Sequence, residues 1–281
     1  MSIKITSDST CDLGELVKQR DIGIMPLKVT LDTETYLDGV DIQPQAIFDF
    51  VAEKKQLPKT SAPSITDYQE FFEEELKTAD EILHFSISAK SSVSHTVARQ
   101  AAEEFGGRVR VIDSMALSSG QGLLVLKAAD LRDQGKSLDE IEEIINVTRE
   151  HVNTSFVPDS LEYLFKGGRV SRMTMYGANL LKIHPLIYME KGQLVPGKKY
   201  RGKMSVCIKQ YIDDLQMQYP DYDKTRCFIT HSSADKELVE LAKARVKETF
   251  GFDEVLETVA GSIITSHCGR NTLGVLFIYN K

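Results

Sequence analysis

Short β-branched runs alternate with amphipathic helical stretches through the first half of this chain, and that alternation restricts the fold more than any other feature. Strand-like runs fall at Ile3–Thr6, Gly23–Leu31, Glu81–Ile87 and Val109–Asp113. Helical periodicity falls at Pro44–Lys55, Thr66–Lys77, Ser92–Phe105, Gly122–Asp133 and Leu138–Val152. Strands separated by helices pair in parallel, because the crossover helix returns the chain to the same edge, and such a sheet is covered on both faces. Ser137-x-x-Glu140 is a capping box that fixes the start of the last of these helices. The second half has a different grammar. Leu186–Met189 and Gln193–Pro196 are joined by Lys191-Gly192 as a β-hairpin, which demands antiparallel pairing. Further strands are predicted at Arg226–Thr230, Glu254–Val259 and Thr272–Tyr279, with helices at Lys203–Met217 and Asp235–Phe250. The expectation is an α/β chain of two domains. Residues 1–152 form a parallel α/β/α domain and residues 153–281 an α+β domain with a mixed or antiparallel sheet, a division that 281 residues can support.

A net charge of −7 argues against a nucleic-acid or anionic-membrane footprint, which needs Lys and Arg in surplus on one face. The four cysteines, Cys11, Cys207, Cys227 and Cys268, are scattered without a C-x-x-C, as in a reducing compartment. The first residues, MSIKITSDST, read as a strand rather than a secretory signal, and no apolar run approaches the length of a membrane span. A cytoplasmic location is expected.

In parallel α/β sheets ligands sit at the carboxyl ends of the strands, and several hydroxyl-rich loops share that address. They are Ser7-Asp8-Ser9-Thr10, Ser88 to Ser94, and Asp113-Ser114. Lys59-Thr60-Ser61-Ala62-Pro63-Ser64 precedes a helix and can offer hydroxyl and N–H donors to an anion. Each loop taken alone reads first as a helix cap or an Asx turn. Near the C-terminus, His267 sits in Ser266–Gly274 beside a final apolar strand. The basic loops Lys166–Arg172 and Lys198–Lys203 suit either a phosphate-bearing or acidic partner or plain solvation. No phosphate-binding loop G-x-x-x-x-G-K-[ST] is present, and Gly120-Gln121-Gly122 lacks the third glycine of a dinucleotide fingerprint because Val125 stands there.

Taken together, these segments resemble the DegV family, whose members act as the fatty-acid-binding subunit of bacterial fatty acid kinase. The resemblance covers essentially the whole chain. It rests on ITSDSTCDL at Ile5–Leu13, PLKVTLDTETYLDG at Pro26–Gly39, KTSAPS at Lys59–Ser64, VIDSMALSSGQGLL at Val111–Leu124, LEYLFKGGRVSR at Leu161–Arg172 and SHCGRNTLG at Ser266–Gly274. The order and spacing of these segments are specific where no one of them is. The resemblance implies a long-chain fatty acid held between the two domains, with Thr60, Ser61, Ser92 and His267 around its carboxylate and Arg169 contributing charge. It implies no cofactor. The partners it implies are a separate kinase, which phosphorylates the bound carboxylate, and an acyltransferase that receives the acyl phosphate. Arg172 and Arg201 are the candidates for docking the kinase, and Phe85, Ile183, Leu186 and Ile264 the candidates for the acyl tunnel. Two places depart from the family pattern. Ser92-Val93-Ser94 stands for Ser-Gly-Thr, and Gly269-Arg270-Asn271 for Gly-Pro-Gly, so Arg270 either assists the carboxylate or points to solvent.

Two other classes compete. Ser92 and His267 as nucleophile and base would give an acyl hydrolase or transferase, but no G-x-S-x-G elbow surrounds Ser92. A metal protein would draw on His84, His95, His184 and His231, whose spacings match no ligand pattern.

Overall fold

The fold described here is that of a computed structural model covering residues 1–169 and 183–280. In chain order the first half comprises β1 (Ile3–Asp8), α1 (Leu16–Gln19), β2 (Ile22–Met25), β3 (Lys28–Leu31), β4 (Glu34–Leu37), α2 (Pro44–Lys54), β5 (Lys59–Ser61), α3 (Ile65–Glu75), β6 (Glu81–Ser86), α4 (Ser94–Ala102), β7 (Val109–Asp113), α5 (Ser119–Asp133) and α6 (Leu138–Thr148). The second half adds β8 (Val152–Asn153), β9 (Ser155–Val157), α7 (Glu162–Lys166), β10 (Ile183–Glu190), β11 (Gln193–Arg201), α8 (Met204–Gln218), β12 (Tyr222–Ser232), α9 (Lys236–Thr249), β13 (Glu254–Val259), α10 (Ser262–Cys268) and β14 (Thr272–Tyr279).

The expected parallel sheet is present in the order β2-β1-β6-β7, and every pairing in it is parallel. The expected mixed sheet runs β11-β10-β9-β14-β12-β13 with β8 also on β14, and only β12 and β13 pair in parallel. Lys191 and Gly192 both have positive φ (48° and 81°), as a two-residue turn between right-twisted strands requires. Ser137 and Glu140 form the capping box read from sequence.

Strand alternation sorts the side chains into five layers. On β6, Ile82 faces α3 and α4, whereas Leu83 and Phe85 face α5. On the mixed sheet, Phe228, Leu276 and Ile278 face α5 from the other side, while Cys227, Ile229, Val275 and Phe277 face α8 and α9. α5 therefore lies between two sheets, which is why every residue of its first half, Ser119 to Leu126, is buried, while Lys127, Asp130, Arg132 and Asp133 are confined to its second half. A single apolar cluster thus joins the two halves of the chain, with Ile5 and Leu83 at one side and Leu276 at the other.

One expected strand is two. Gly23–Leu31 breaks at Pro26 and Leu27, because proline brings no N–H to a ladder and the Leu27 N–H is taken by the Ser9 hydroxyl at 3.2 Å. The part beyond the break, β3, leaves the parallel sheet and pairs antiparallel with β4 and β5 in a small separate sheet. The Lys59–Ser61 segment, read as a loop, is the edge of that sheet, with Thr60 opposite Val29. The helix expected from Ser92 begins at Ser94, leaving Ser92 in the connection.

Candidate functional site

A cavity of about 570 Å3 opens where the carboxyl ends of β6 and β7 meet the small sheet, α7, α10 and the mixed sheet. That size is ordinary for a small-molecule site, which typically spans roughly 300–1,000 Å3. Its wall is mainly apolar, with Leu27, Ile87, Phe156, Leu164, Ile263 and Leu276 among its members. Thr60, Ser61, Ser92, Arg169 and His267, which are far apart in sequence, all line it. No Asp or Glu does.

The tunnel candidates fare unevenly. Ile264 lies on the wall. Phe85 does not, because its position on β6 turns it into the core against α5; the chain reaches the cavity two residues later, at Ile87. Leu186 packs toward the α8 layer, and Ile183 opens β10 opposite Arg201, so neither is a lining residue. Arg201 ends β11 at the surface, and Arg172 lies outside the described residues. Arg270 turns away from the cavity: its guanidinium stacks on Phe48 at 4.0 Å from the ring centre and reaches Gln45 at 3.4 Å. Asn271 has φ 55°, the left-handed conformation that asparagine tolerates better than most residues, so the missing second glycine of the family pattern has an adequate substitute.

His267 is held by three elements. It sits in the last turn of α10, and its Nε2 meets the Thr60 hydroxyl of β5 at 2.9 Å. Gly167, at the end of α7, lies so close that a Cβ there would stand 2.7 Å from His267 Nδ1, so a side chain cannot be accommodated without displacing the ring. Nδ1 is buried and has no hydrogen-bond partner among the described residues. Burial, with the Arg169 charge nearby as a second cause, pushes the imidazole down to about 3. His267 is therefore neutral near pH 7, with one N–H to give and one lone pair to offer.

Ser92 is oriented from inside the parallel-sheet half. Its Oγ accepts the Ser94 N–H at 3.2 Å and pairs with the Ser94 hydroxyl at 2.8 Å. Nearby, the buried Tyr68 hydroxyl donates to Asp8 Oδ1 at 2.6 Å. The other Asp8 oxygen takes the Ile87 N–H at 3.0 Å. The Ser92 and His267 groups are thus committed to different partners, Ser94 and Thr60, and not to each other as nucleophile and base would be. A base held at about 3 is also far below the range in which general bases work at neutral pH. The remaining histidines are dispersed: His84 meets Thr6 and Asp8, His95 meets Ser86, His184 meets the Pro158 carbonyl and His231 meets Glu257. Among the described residues no group of three or more His, Cys, Asp and Glu is placed to share an ion.

Asp12 and Asp38, to which the sequence reading assigned no role, fix the helix that carries His267. The Gly261 N–H donates to Asp12 at 2.9 Å and the Ser262 N–H to Asp38 at 2.7 Å, so two carboxyl groups from the first half of the chain cap α10. Ser118 and Ser9 donate to their outer oxygens. Burial pushes Asp12 up to about 8, Asp38 adding to the rise and the bonds from Ser118 and Gly261 opposing it. Asp38 is pushed up too, again mainly by burial.

These shifts give opposite pH slopes. Asp12 keeps its proton in the folded chain between its ordinary value of 3.8 and about 8, where the unfolded chain has lost it, so its contribution to stability falls as pH rises through that window. His267 refuses a proton in the folded chain between about 3 and its ordinary 6.5, so its contribution falls as pH drops through that range. Asp12→Asn keeps an acceptor for Gly261 and gains a donor for Ser118. Relative to the parent, its unfolding free energy in urea should improve by on the order of 2 kcal/mol between pH 5 and pH 8. A difference independent of pH would contradict a protonated Asp12.

The comparisons with known proteins agree over the whole length. The profile of a family described as uncharacterised DegV proteins matches residues 2–280. The chain belongs to the DegV family. A DegV domain-containing protein of Caldanaerobacter subterraneus is 31% identical over 279 residues, covering 98% of each chain, and one of Streptococcus pneumoniae is 34% identical over 284 residues, covering 99% of each. Among solved structures, a fatty-acid-binding DegV protein of Thermus thermophilus superposes with a TM-score of 0.91 at 29% identity, and DegV of Bacillus subtilis, described as a fatty acid binding protein, with 0.86 at 25%. Both pairs are covered completely. Among the described residues of this DegV chain, no helix is long and apolar enough to cross a membrane.

Proposed function

We propose that this chain binds one long-chain fatty acid in the 570 Å3 cavity, between a unit of residues 1–152 and a unit of residues 153–281, and presents its carboxylate to a separate fatty acid kinase. The acyl phosphate then stays with this carrier until an acyltransferase at the membrane receives it. The cavity carries the reading, because its wall is mainly apolar, free of carboxylates among the described residues and provided with neutral hydrogen-bonding groups in Thr60, Ser61, Ser92 and His267. A tail of about fifteen methylenes leaving water gains about 12 kcal/mol at roughly 0.8 kcal/mol for each CH₂, and needs only apolar surroundings. The head is the costly part, since a buried carboxylate without partners loses several kcal/mol. Hydroxyls, one imidazole N–H and the Arg169 charge answer that need. Support also comes from relatives described as fatty acid binding, among them a stearic acid-binding protein of Eubacterium ventriosum with a TM-score of 0.84 at 25% identity. The four buried, unpaired cysteines suit the reducing cytoplasm.

Native mass spectrometry of the purified chain should show one lipid for each protein, and extraction under denaturing conditions should release a long-chain fatty acid. A chain that emerges empty and takes up no added fatty acid would sink the proposal.

A further inference from the structure

Asp8 ends β1, an inner strand of the parallel sheet, and is completely buried without lining the cavity. Among the described residues no Lys or Arg pairs with it. Aspartate is rarely buried in this way, because taking an acidic group out of water is costly and an apolar side chain fills such a position more cheaply. Its partners account for it. The Tyr68 hydroxyl of α3 donates to Oδ1 at 2.6 Å, His84 Nε2 of β6 meets the same oxygen at 3.3 Å, and the Ile87 N–H, one residue beyond β6, donates to Oδ2 at 3.0 Å.

Two of these partners lead to the polar residues of the cavity. Beyond Ile87 the chain closes into a turn, in which the Ser88 carbonyl accepts the Ser91 N–H at 2.9 Å and the Ser92 N–H at 3.1 Å, while the Ser88 N–H is held by the Ala116 carbonyl at 2.9 Å. The place of Ser92 is thus set from Ile87 with little slack. From Tyr68 the chain runs back through the Ser64 capping box and Pro63 to Ser61 and Thr60 of β5. The cap fixes the start of α3 and proline fixes its own φ, so this path is stiff as well. Thr60 and Ser61 therefore reach the cavity on one segment and Ser92 on another, and a single carboxyl group holds an oxygen on each. Hydroxyl donors act only within a few tenths of an ångström of their best distance, so the spacing of the two segments decides whether both can serve one head group.

We propose that Asp8 is a positioning residue for the head group, setting the distance between Thr60–Ser61 and Ser92 at which their hydroxyls converge on one ligand carboxylate. This rests on the proposed fatty-acid function and adds to it a residue that touches no ligand.

The probes are palmitic acid and cetyl alcohol, which share one tail and differ in the head, titrated into the full, delipidated chain. An amide has one oxygen where a carboxyl group has two, so Asp8→Asn leaves either Tyr68 or Ile87 without its acceptor. It should weaken palmitic acid by about tenfold and cetyl alcohol by no more than about twofold. Tyr68→Phe, which removes only the bond to α3, should change the preference in the same direction by about threefold. In a Ser92→Ala background the effect of Asp8→Asn on palmitic acid should shrink to about threefold, the part exerted through Thr60 and Ser61. Equal losses for the two ligands would make Asp8 a support of the fold alone, and an undiminished effect in the Ser92→Ala background would show that it does not act through Ser92. Either result overturns the proposal and leaves fatty-acid binding standing. If Asp8→Asn fails to fold, an unchanged preference in Tyr68→Phe overturns it instead. A parent chain that takes up neither ligand overturns both readings together.

Discussion

Ser92→Ala should lower kinase-dependent acyl phosphate formation by about a hundredfold while weakening fatty acid binding by no more than about tenfold. The asymmetry follows from where the binding energy resides. In the proposed arrangement the tail contributes most of the affinity through an apolar wall that Ser92 scarcely affects, whereas the Ser92 hydroxyl serves the head, where the attacking oxygen must be aimed. Charge moves during phosphoryl transfer, so a donor fixed before the event stabilises the reacting arrangement more than the resting one. His267→Ala should behave in the same way, with a structural component added because Thr60 loses its partner. Measuring acyl phosphate output with a purified fatty acid kinase, and fatty acid affinity by titration, separates the two quantities. Equal losses in both would show that Ser92 merely helps to hold the lipid.

Most of the frame was legible because it rests on local periodicity. β7, β13 and β14 fall at their expected residues, and the capping box at Ser137 sets the start of α6 as read. What stayed hidden depends on partners remote in sequence. α10 reads poorly as a helix, since Ile263, Ile264 and Thr265 are β-branched. It is helical because Asp12 and Asp38, 249 and 224 residues away from the amides they accept, cap its first turn. No window of sequence contains that information, although both aspartates lie in segments that carry the family resemblance. The small sheet was missed for a related reason: β5 is three residues long and becomes a strand only beside β3. Phe85 lies off the cavity wall for a different reason, since one residue of alternation decides whether a side chain faces the cavity or the core. Thr60, Ser61, Ser92, Arg169 and His267 all line one cavity, whereas of the four apolar candidates only Ile264 does. Hydroxyls and an imidazole are scarce and clustered, while apolar residues abound and only geometry distinguishes the few that face the cavity.

Gly120→Ala should destabilise the chain by about 2–3 kcal/mol, a large cost for one methyl group on a helix. On propensity alone the exchange stabilises, by up to roughly 1 kcal/mol, because alanine is the better helix former. Packing reverses the sign. A Cβ at Gly120 would stand 2.0 Å from Thr154 Oγ1 and 3.0 Å from both Thr154 Cβ and Cγ2, and Thr154 joins β8 to β9 in the mixed sheet. Threonine is branched at Cβ, so turning the hydroxyl aside brings another heavy atom into the same space. Backbone retreat is opposed from both sides, since α5 is wedged between the sheets and Thr154 is 1% exposed. The same contact shapes the ligand site, because Thr154 also lines the 570 Å3 cavity. Thr154→Ala should therefore cost little alone, its hydroxyl being buried without a hydrogen-bond partner among the described residues, and should restore most of the stability of Gly120→Ala in the double variant. Urea unfolding of the four chains in that cycle measures the coupling. Additive losses would mean that α5 shifts to absorb the methyl group, and that the close approach of helix and sheet at Thr154 does not fix the layer spacing on which the cavity depends.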